Sequence, residues 1–185
     1  MSEFKVATRY AKSLIDLAEE QHLLEEINAD MVLFVKTLKA NSLLNAVLRN
    51  PIISPLKKID ILNAIFTGKV QPDTLGFFKI MVDKMRSGIL FETAKEFVEQ
   101  YDQKKHIVKV LIVSALPLSE SNRAEAIEAV KKATGGDVVL EEKVDPALIG
   151  GFIITIGDRQ FDSSISNALN KLKKTFGQQS IAELV

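Results

Sequence analysis

The sequence of 185 residues contains no cysteine, so it can form neither disulfides nor cysteine-based metal or nucleophile sites. It also lacks an excess of either charge, because 24 basic residues are matched by 24 acidic ones. The balance holds within the first 104 residues, which carry 14 of each. Nucleic-acid binders usually show a basic excess, so this composition argues against that class of protein.

Long apolar runs are absent as well. No window approaches the roughly 18 uninterrupted apolar residues that a bilayer-spanning helix needs. The first residues, MSEFKVATRY, lack the apolar core of a signal peptide. We therefore expect a soluble, cytoplasmic protein.

The first hundred residues are patterned as six helices with short breaks between them. Proline marks two of the borders: Asn50-Pro51 ends the third helix, and Ser54-Pro55 begins the fourth as N-cap and first helical residue. Short connections between six helices predict a compact all-α six-helix bundle over residues 1–104. Apolar residues recur at helical spacing at about residues 4–20, 24–39, 43–48, 55–66, 72–86 and 89–101.

The pattern changes near residue 105, and the remainder predicts a small α/β domain over residues 105–185. The β-branched run Ile107 to Val113 indicates a strand buried on both faces. Ser119 caps a helix that ends at Gly135-Gly136, and Val138 to Val144 follows as a second strand. The predicted order is strand, helix, strand, hairpin, helix.

The stretch GGFIITIGDRQFDSS, which begins at Gly150, raises the question of a phosphate-binding loop. Such a loop places its glycines between a strand and a helix, whereas here two glycines precede the strand. Phe152 to Ile156 alternates as a strand, Gly157-Asp158 predicts a two-residue turn, and Arg159 to Phe161 returns. An N-cap from the Asp-Ser-Ser run then begins an amphipathic helix, so the segment is a hairpin followed by a helix.

Histidines and carboxylates offer little for catalysis. His22 and His106 lie in different predicted domains and form no HExxH-like pair, so we interpret both as solvated or partly packed. Asp158 and Asp162 are four residues apart, which invites a metal or acid–base site. Turn chemistry at the first and helix capping at the second explain both. We therefore predict no catalytic residue, no metal site and no cofactor.

Two features of the helical half leave alternatives open. Tyr10 falls off the main apolar stripe of the first helix, so it is either a half-buried tyrosine or part of a partner surface. The fifth helix, from about Pro72 to Arg86, is apolar on more than one side. Its pattern favours a core helix, and a helix covered by a partner is the alternative.

Two motifs carry a family resemblance that covers essentially the whole chain. Residues 7–14, ATRYAKSL, are similar to the A-x-x-Y-A-x-A-L start of the delta subunit of F-type ATP synthases, whose mitochondrial counterpart is the oligomycin-sensitivity-conferring protein. Residues 149–164 resemble that family's C-terminal signature, G-G-hydrophobic…G-D…D-G-S, and Leu169 and Leu172 match its closing leucines. Ser13 and Ser163 depart from the family's common alanine and glycine.

The resemblance implies a non-catalytic stator subunit that links the alpha/beta catalytic head to the peripheral stalk, so that proton translocation is coupled to ATP synthesis. The domain of residues 1–104 would bind the N-terminal helix of one alpha subunit. The domain of residues 105–185 would contact the b subunits of the stalk. The family role also implies a monomer, with one copy per complex, at the cytoplasmic face of the bacterial inner membrane. It would meet that membrane only indirectly, through the complex.

The resemblance also suggests contact residues by position. Helix-in-groove binding would make the fifth helix partly interface, which reverses the preference for core stated above. Purely local backbone roles are the alternative for the glycines. The candidates for the alpha-binding groove are Tyr10, Leu14, Ile80 and Lys84. The candidates for the stalk-binding face are Gly150, Gly151, Asp158, Asp162, Leu169 and Leu172.

Three other classes of protein differ in the residues that they require. An RNA-binding module would need a basic excess and an exposed aromatic platform. An enzyme would need a nucleophile–base pair or a metal cluster. The sequence lacks those features, so the main alternative is an adaptor or scaffold of another assembly.

Overall fold

The computed structural model describes residues 3–157 and 159–182. The chain divides into two compact units, residues 1–104 and 105–185. Helices dominate, and a small mixed four-stranded sheet lies in the second unit, which confirms the predicted fold class at that level. In the described part of the chain no single helix is long and apolar enough to cross a bilayer. One helix pair, 24–40 with 42–49 and bent by 101°, passes that test only when its two members are taken together by length and composition.

The helices of the first unit follow the predicted periodicity closely. The described residues form α1 (Glu3–Glu20), α2 (Leu24–Ala40), α3 (Ser42–Arg49), α4 (Pro55–Phe66), α5 (Pro72–Asp83) and α6 (Leu90–Lys104). The prediction that the fifth helix reaches Arg86 is wrong, because Met85 adopts a left-handed conformation with φ of 59°. The N–H groups of Met85 and Arg86 then donate to the carbonyls of Val82 and Met81, which closes the helix end.

Three phenylalanines form the centre of the first unit. Phe34 of α2 lies 5.3 Å from Phe66 of α4 and 4.5 Å from Phe78 of α5, measured between ring centroids. All three side chains are fully buried. The cluster therefore joins α2, α4 and α5 through aromatic packing.

Buried polar groups add specific ties between these helices. The Asp30 carboxylate of α2 accepts hydrogen bonds from the Gln71 backbone N–H at 2.8 Å and the Thr74 hydroxyl at 2.7 Å, which anchors the start of α5. The Tyr101 hydroxyl of α6 donates to the Glu25 carboxylate of α2. Burial, followed by that hydrogen bond, raises the pKa of Tyr101 to about 12.

The second unit contains a sheet of order β2-β1-β3-β4. Its strands are β1 (Ile107–Ser114), β2 (Asp137–Val144), β3 (Phe152–Ile156) and β4 (Arg159–Asp162), with α7 (Glu120–Thr134) and α8 (Ile165–Ala182). Strand β1 pairs in parallel with β2, through the crossover that α7 makes, and antiparallel with β3. Ile156 pairs with Arg159 in the predicted hairpin, whereas Asp158 lies outside the described residues.

The prediction that β1 is buried on both faces is wrong. Val110 and Ile112 pack with Val130 of α7, so one face is covered. On the other face Lys109 is exposed and Leu111 is half-buried. The main buried cluster of this unit therefore lies between the sheet and α7.

Candidate partner-binding surfaces

The first candidate surface lies on α1 and at the end of α5. Tyr10 is half-buried, and the Arg86 guanidinium carbon lies 5.2 Å from the centroid of its ring, within cation–π range. Arg9, Tyr10, Ser13 and Arg86 together line an open cavity of about 280 Å³. Tyrosine and arginine side by side at a concave surface are the residue types that dominate binding hot spots.

Helix α5 supplies an apolar residue to the surface as well as to the core. Phe77, Phe78, Met81 and Val82 are buried, whereas the Ile80 side chain is 53% exposed. Gly76, one turn before Ile80, has nothing within 4 Å of the position that a Cβ would take. The helix is thus core on one side and leaves an apolar side chain beside an open backbone on the other.

The four predicted groove residues do not all lie at the surface. Ile80 and Lys84 are exposed and Tyr10 is half-buried, but Leu14 is only 1% exposed and belongs to the core. Arg86 was missed, because its approach to Tyr10 depends on the left-handed turn at Met85. The only sequence signal for that turn was the end of the apolar run.

In the second unit, two predicted glycines have a local structural role. A Cβ at Gly150 would lie 2.6 Å from Cδ1 of Ile165, and one at Gly151 would lie 2.3 Å from the carbonyl oxygen of Ser163. Gly151 also has a φ of 76°. These glycines let the loop before β3 pack against the start of α8.

Asp162 positions the start of α8. Its carboxylate accepts hydrogen bonds from the backbone N–H of Ser164 at 2.9 Å and from the Ser164 hydroxyl at 2.7 Å. The Ser164 oxygen in turn accepts from the N–H of Asn167 at 3.2 Å, as an N-cap does. These hydrogen bonds from Ser164 lower the pKa of Asp162 below its usual range. Ser164, one of the three residues predicted as N-cap, is therefore the cap, whereas the interpretation of Asp162 as the capping residue is wrong, because its carboxylate accepts its hydrogen bonds from Ser164.

The apolar stripe of α8 faces solvent. Leu169 is 51% exposed, Leu172 is 53% exposed, and Ile165, one turn before Leu169, is similarly open. Two apolar residues near the glycine loop, Ile149 and Phe152, are exposed too. Ile149 holds a φ of 65°, which is rare for a β-branched residue. A face of this kind marks an interaction site more often than a solvated surface.

The two histidines that raised the question of catalysis lie in different units. His22 and His106 are exposed and both adopt a positive φ, at the ends of α1 and α6. Within residues 3–157 and 159–182, no group of three histidine or acidic residues is placed to hold a metal ion. What the described residues present is a mostly helical protein with two exposed apolar surfaces, which is the character of an interaction subunit.

Comparison with known proteins identifies the family. The sequence model of the family described as ATP synthase delta (OSCP) subunit matches residues 6–176 of this chain. The chain is 40% identical to ATP synthase subunit delta of Cytophaga hutchinsonii over 98% of this chain and 99% of the relative, and 36% identical to that of Amoebophilus asiaticus over 98% of each. The chain therefore belongs to the ATP synthase delta (OSCP) subunit family, a family of non-catalytic stator subunits.

A solved structure shows the same fold. A chain in the cryo-EM structure of the Toxoplasma gondii mitochondrial ATP synthase hexamer matches with a TM-score of 0.69. The match covers 92% of this chain and 96% of that one, at 20% sequence identity. Both units are thus spanned by a fold that occurs in an ATP synthase.

Proposed function

We propose that this protein joins the alpha/beta head of a bacterial ATP synthase to its peripheral stalk and has no catalytic activity of its own. The observation that carries the proposal is the family match over residues 6–176. In this role the protein transmits force and does no chemistry, so binding surfaces on both units are what it needs. It acts as a monomer, one copy per complex, held at the cytoplasmic face of the inner membrane through the complex.

The helical unit, a six-helix bundle, takes the N-terminal helix of one alpha subunit. An amphipathic helix laid between α1 and α5 would cover Ile80 and the Tyr10 ring, and Gly76 would let its backbone approach. Lys84 lies at the rim, where a charge sets orientation more than affinity. Leu14 supports the groove from beneath, since it packs inside the unit.

The α/β unit takes the C-terminal end of the b subunits on the exposed face of α8. Ile165, Leu169 and Leu172 recur at i, i+4 and i+7, the spacing by which one helix packs along another. Gly150, Gly151 and Asp162 contribute by fixing the loop and the helix start, as their contacts indicate. Asp158 lies outside the described residues, and its part in this face is proposed from the family motif alone.

Calorimetric titration with a synthetic peptide of the alpha-subunit N-terminus from the same organism tests the first surface. We expect one-to-one binding with a negative heat-capacity change, and a loss of about 1–4 kcal/mol of binding free energy in Tyr10→Ala, as for a hot-spot aromatic. Phe4→Ala is the matched control, because Phe4 is exposed on the same helix but points about 120° away at 100° per residue. Binding unchanged in a folded Tyr10→Ala protein would remove Tyr10 from the site.

Titration with the soluble part of the b subunits tests the second surface. Leu169→Gln combined with Leu172→Gln should weaken binding at least about tenfold, because two exposed leucines would lose their apolar cover. Leu116→Gln is the control, since Leu116 is exposed in the same unit but lies in the loop after β1. Equal affinity in both proteins would move the stalk contact elsewhere. Failure to co-purify with either partner would favour an adaptor of another assembly.

A further inference from the structure

A second concave site lies beside the groove of the first unit. It is a cavity of about 350 Å³ at the point where the start of α1, the loop before α4 and the end of α5 meet. Its apolar wall includes Val6, Ile53, Val82 and Met85. Met85 is strongly exposed and is held there by the left-handed turn that ends α5. We call this cavity the cup: its wall is largely apolar, and it is open to solvent.

The charges around this cup are of one sign, apart from a single acid. Arg49, Lys58 and Arg86 line it, against Glu3 alone. Among the described residues neither arginine has an ion-pair partner within 4 Å, and Arg86 makes its cation–π contact with the Tyr10 ring. Neither guanidinium charge is therefore paired with an acid in this part of the chain. Guanidinium stays protonated in proteins and binds carboxylate through two parallel hydrogen bonds.

Lys58 shows that this cationic wall is built into the fold. The side chain is buried, and its ammonium donates to the Leu48 carbonyl at 2.9 Å and to the Ser87 hydroxyl at 2.8 Å. These contacts hold α4 against the end of α3 and the turn after α5. An ammonium has three donors, so one is left over after these two partners. Burial lowers the pKa of Lys58, which favours a nearby negative charge as compensation.

The cup and the cavity beside Tyr10 share a lining residue. Arg86 lines both cavities, and Val6 lies one helical turn before Tyr10 on α1, a rise of about 6 Å. A helix that covers Tyr10 would therefore reach the cup within one or two of its own turns. A side chain of that helix would meet both apolar residues and arginines in the cup.

We propose that the cup formed by Arg49, Lys58 and Arg86 receives a carboxylate side chain of the same amphipathic helix that docks on Tyr10 and Ile80. The inference rests on the proposed function, because it takes the alpha-subunit helix as the occupant. The cup adds direction to the groove, since an apolar stripe alone accepts a helix in either sense. A charge at one end fixes which end of the helix lies against the start of α1.

The test is a thermodynamic cycle on the full-length protein. The alpha N-terminal peptide and a second peptide with its acidic residues changed to the corresponding amides are titrated into wild type and Arg49→Gln. Arg49 is chosen because it lines only the cup and not the Tyr10 cavity. We expect Arg49→Gln to raise the Kd of the acidic peptide about tenfold, about 1.4 kcal/mol, and to leave the amide peptide unchanged.

Lys57→Gln is the matched control, because it removes one positive charge from the exposed side of α4 next to Lys58. It should change the Kd less than about twofold at physiological salt. Equal losses in Lys57→Gln and Arg49→Gln would reduce the effect to net charge and overturn the proposal. Tyr10→Ala distinguishes failure of the proposed groove from failure of the proposed carboxylate site in the cup. A loss in Tyr10→Ala without coupling at Arg49 overturns the cup but keeps the groove, and no loss in either overturns both.

Discussion

Residues 3–104 enclose 21 of the buried apolar side chains in the described part of the chain, whereas the second unit encloses four. The first unit packs aromatic rings from three helices against one another, and the main buried cluster of the second lies between its sheet and α7. Helix packing on several sides gives the first unit a closed core. The second leaves α8 with its apolar stripe in solvent.

The two proposed binding surfaces are therefore built in different ways. In the first unit a few side chains, such as Tyr10 and Ile80, project from helices that are already held by a core, so the surface is preformed. Preformed surfaces bind with little ordering cost. In the second unit the exposed leucines of α8 are themselves what a core would use, so partner binding should also add stability.

The largest expected effect comes from the aromatic cluster of the first unit. Phe78→Ala should lower the free energy of unfolding by about 3–5 kcal/mol, because it leaves a cavity between α2, α4 and α5. Ile80→Ala on the same helix should cost far less, since Ile80 is half exposed. Urea unfolding with amide hydrogen exchange measures both. A loss below about 1 kcal/mol in Phe78→Ala would mean that the core is not closed.

The next largest effect concerns the folding stability of the second unit. Gly151→Ala should cost more than about 1–2 kcal/mol, because it adds a clash with the Ser163 carbonyl to the cost of a positive φ. Gly68→Ala in the first unit also has a positive φ but open space around it, so it isolates the backbone cost. Amide hydrogen exchange in β3 and α8 measures the loss of stability in Gly151→Ala. Equal losses in the two variants would contradict the close approach.

A smaller effect should appear only at alkaline pH. Tyr101 has a folded-state pKa of about 12, above its ordinary value of 10.0, so its contribution to stability is complete below pH 10.0 and is lost as the pH rises through about 12. Urea midpoints of wild type should therefore fall over this window more than those of Tyr101→Phe. Parallel curves for the two proteins would show that the phenol titrates normally.

The smallest effect separates stability from binding. Gly76→Ala should stabilise the first unit by about 0.5–1 kcal/mol, because Gly76 lies in a helix with space for a methyl group. The same methyl would lift a docked helix off the groove, so the alpha peptide should bind more weakly. Ala64→Gly, at an exposed position of α4, should lower stability and leave binding alone. Unchanged peptide affinity in Gly76→Ala would place the helix elsewhere.

Helix and strand borders could be predicted well where a residue's own chemistry sets them. Ser54-Pro55 begins α4, and Gly135 ends α7 with a φ of 70°, as their residue types indicate. The end of α5 could not be predicted, because Met85 carries a Cβ and nothing local marks it for a left-handed turn. The left-handed conformation of Met85 costs about 1–2 kcal/mol, which the packing around it has to offset.

The candidate surfaces were predicted in part. Tyr10 stood out because it is an aromatic residue that lies off the apolar stripe of α1, and its side chain does reach the surface. Leu14 was assigned to the groove by family position, although it belongs to the stripe that packs inward with Ala7, Ala11 and Ala18. On α8 the spacing of the apolar residues predicted an apolar face correctly. The sequence pattern is the same, however, whether that face is covered by the protein's own core or by a partner.

Composition and short-range periodicity belong to the sequence alone, since they depend on residues a few positions apart. They determined the absence of thiol chemistry, the balance of charge and the order of helices and strands. The tertiary structure decided which apolar residues stay in solvent, and it brought Arg49, Lys58 and Arg86 around one cavity. Their proximity comes from helices that pack across long sequence separations, and no local pattern encodes that packing.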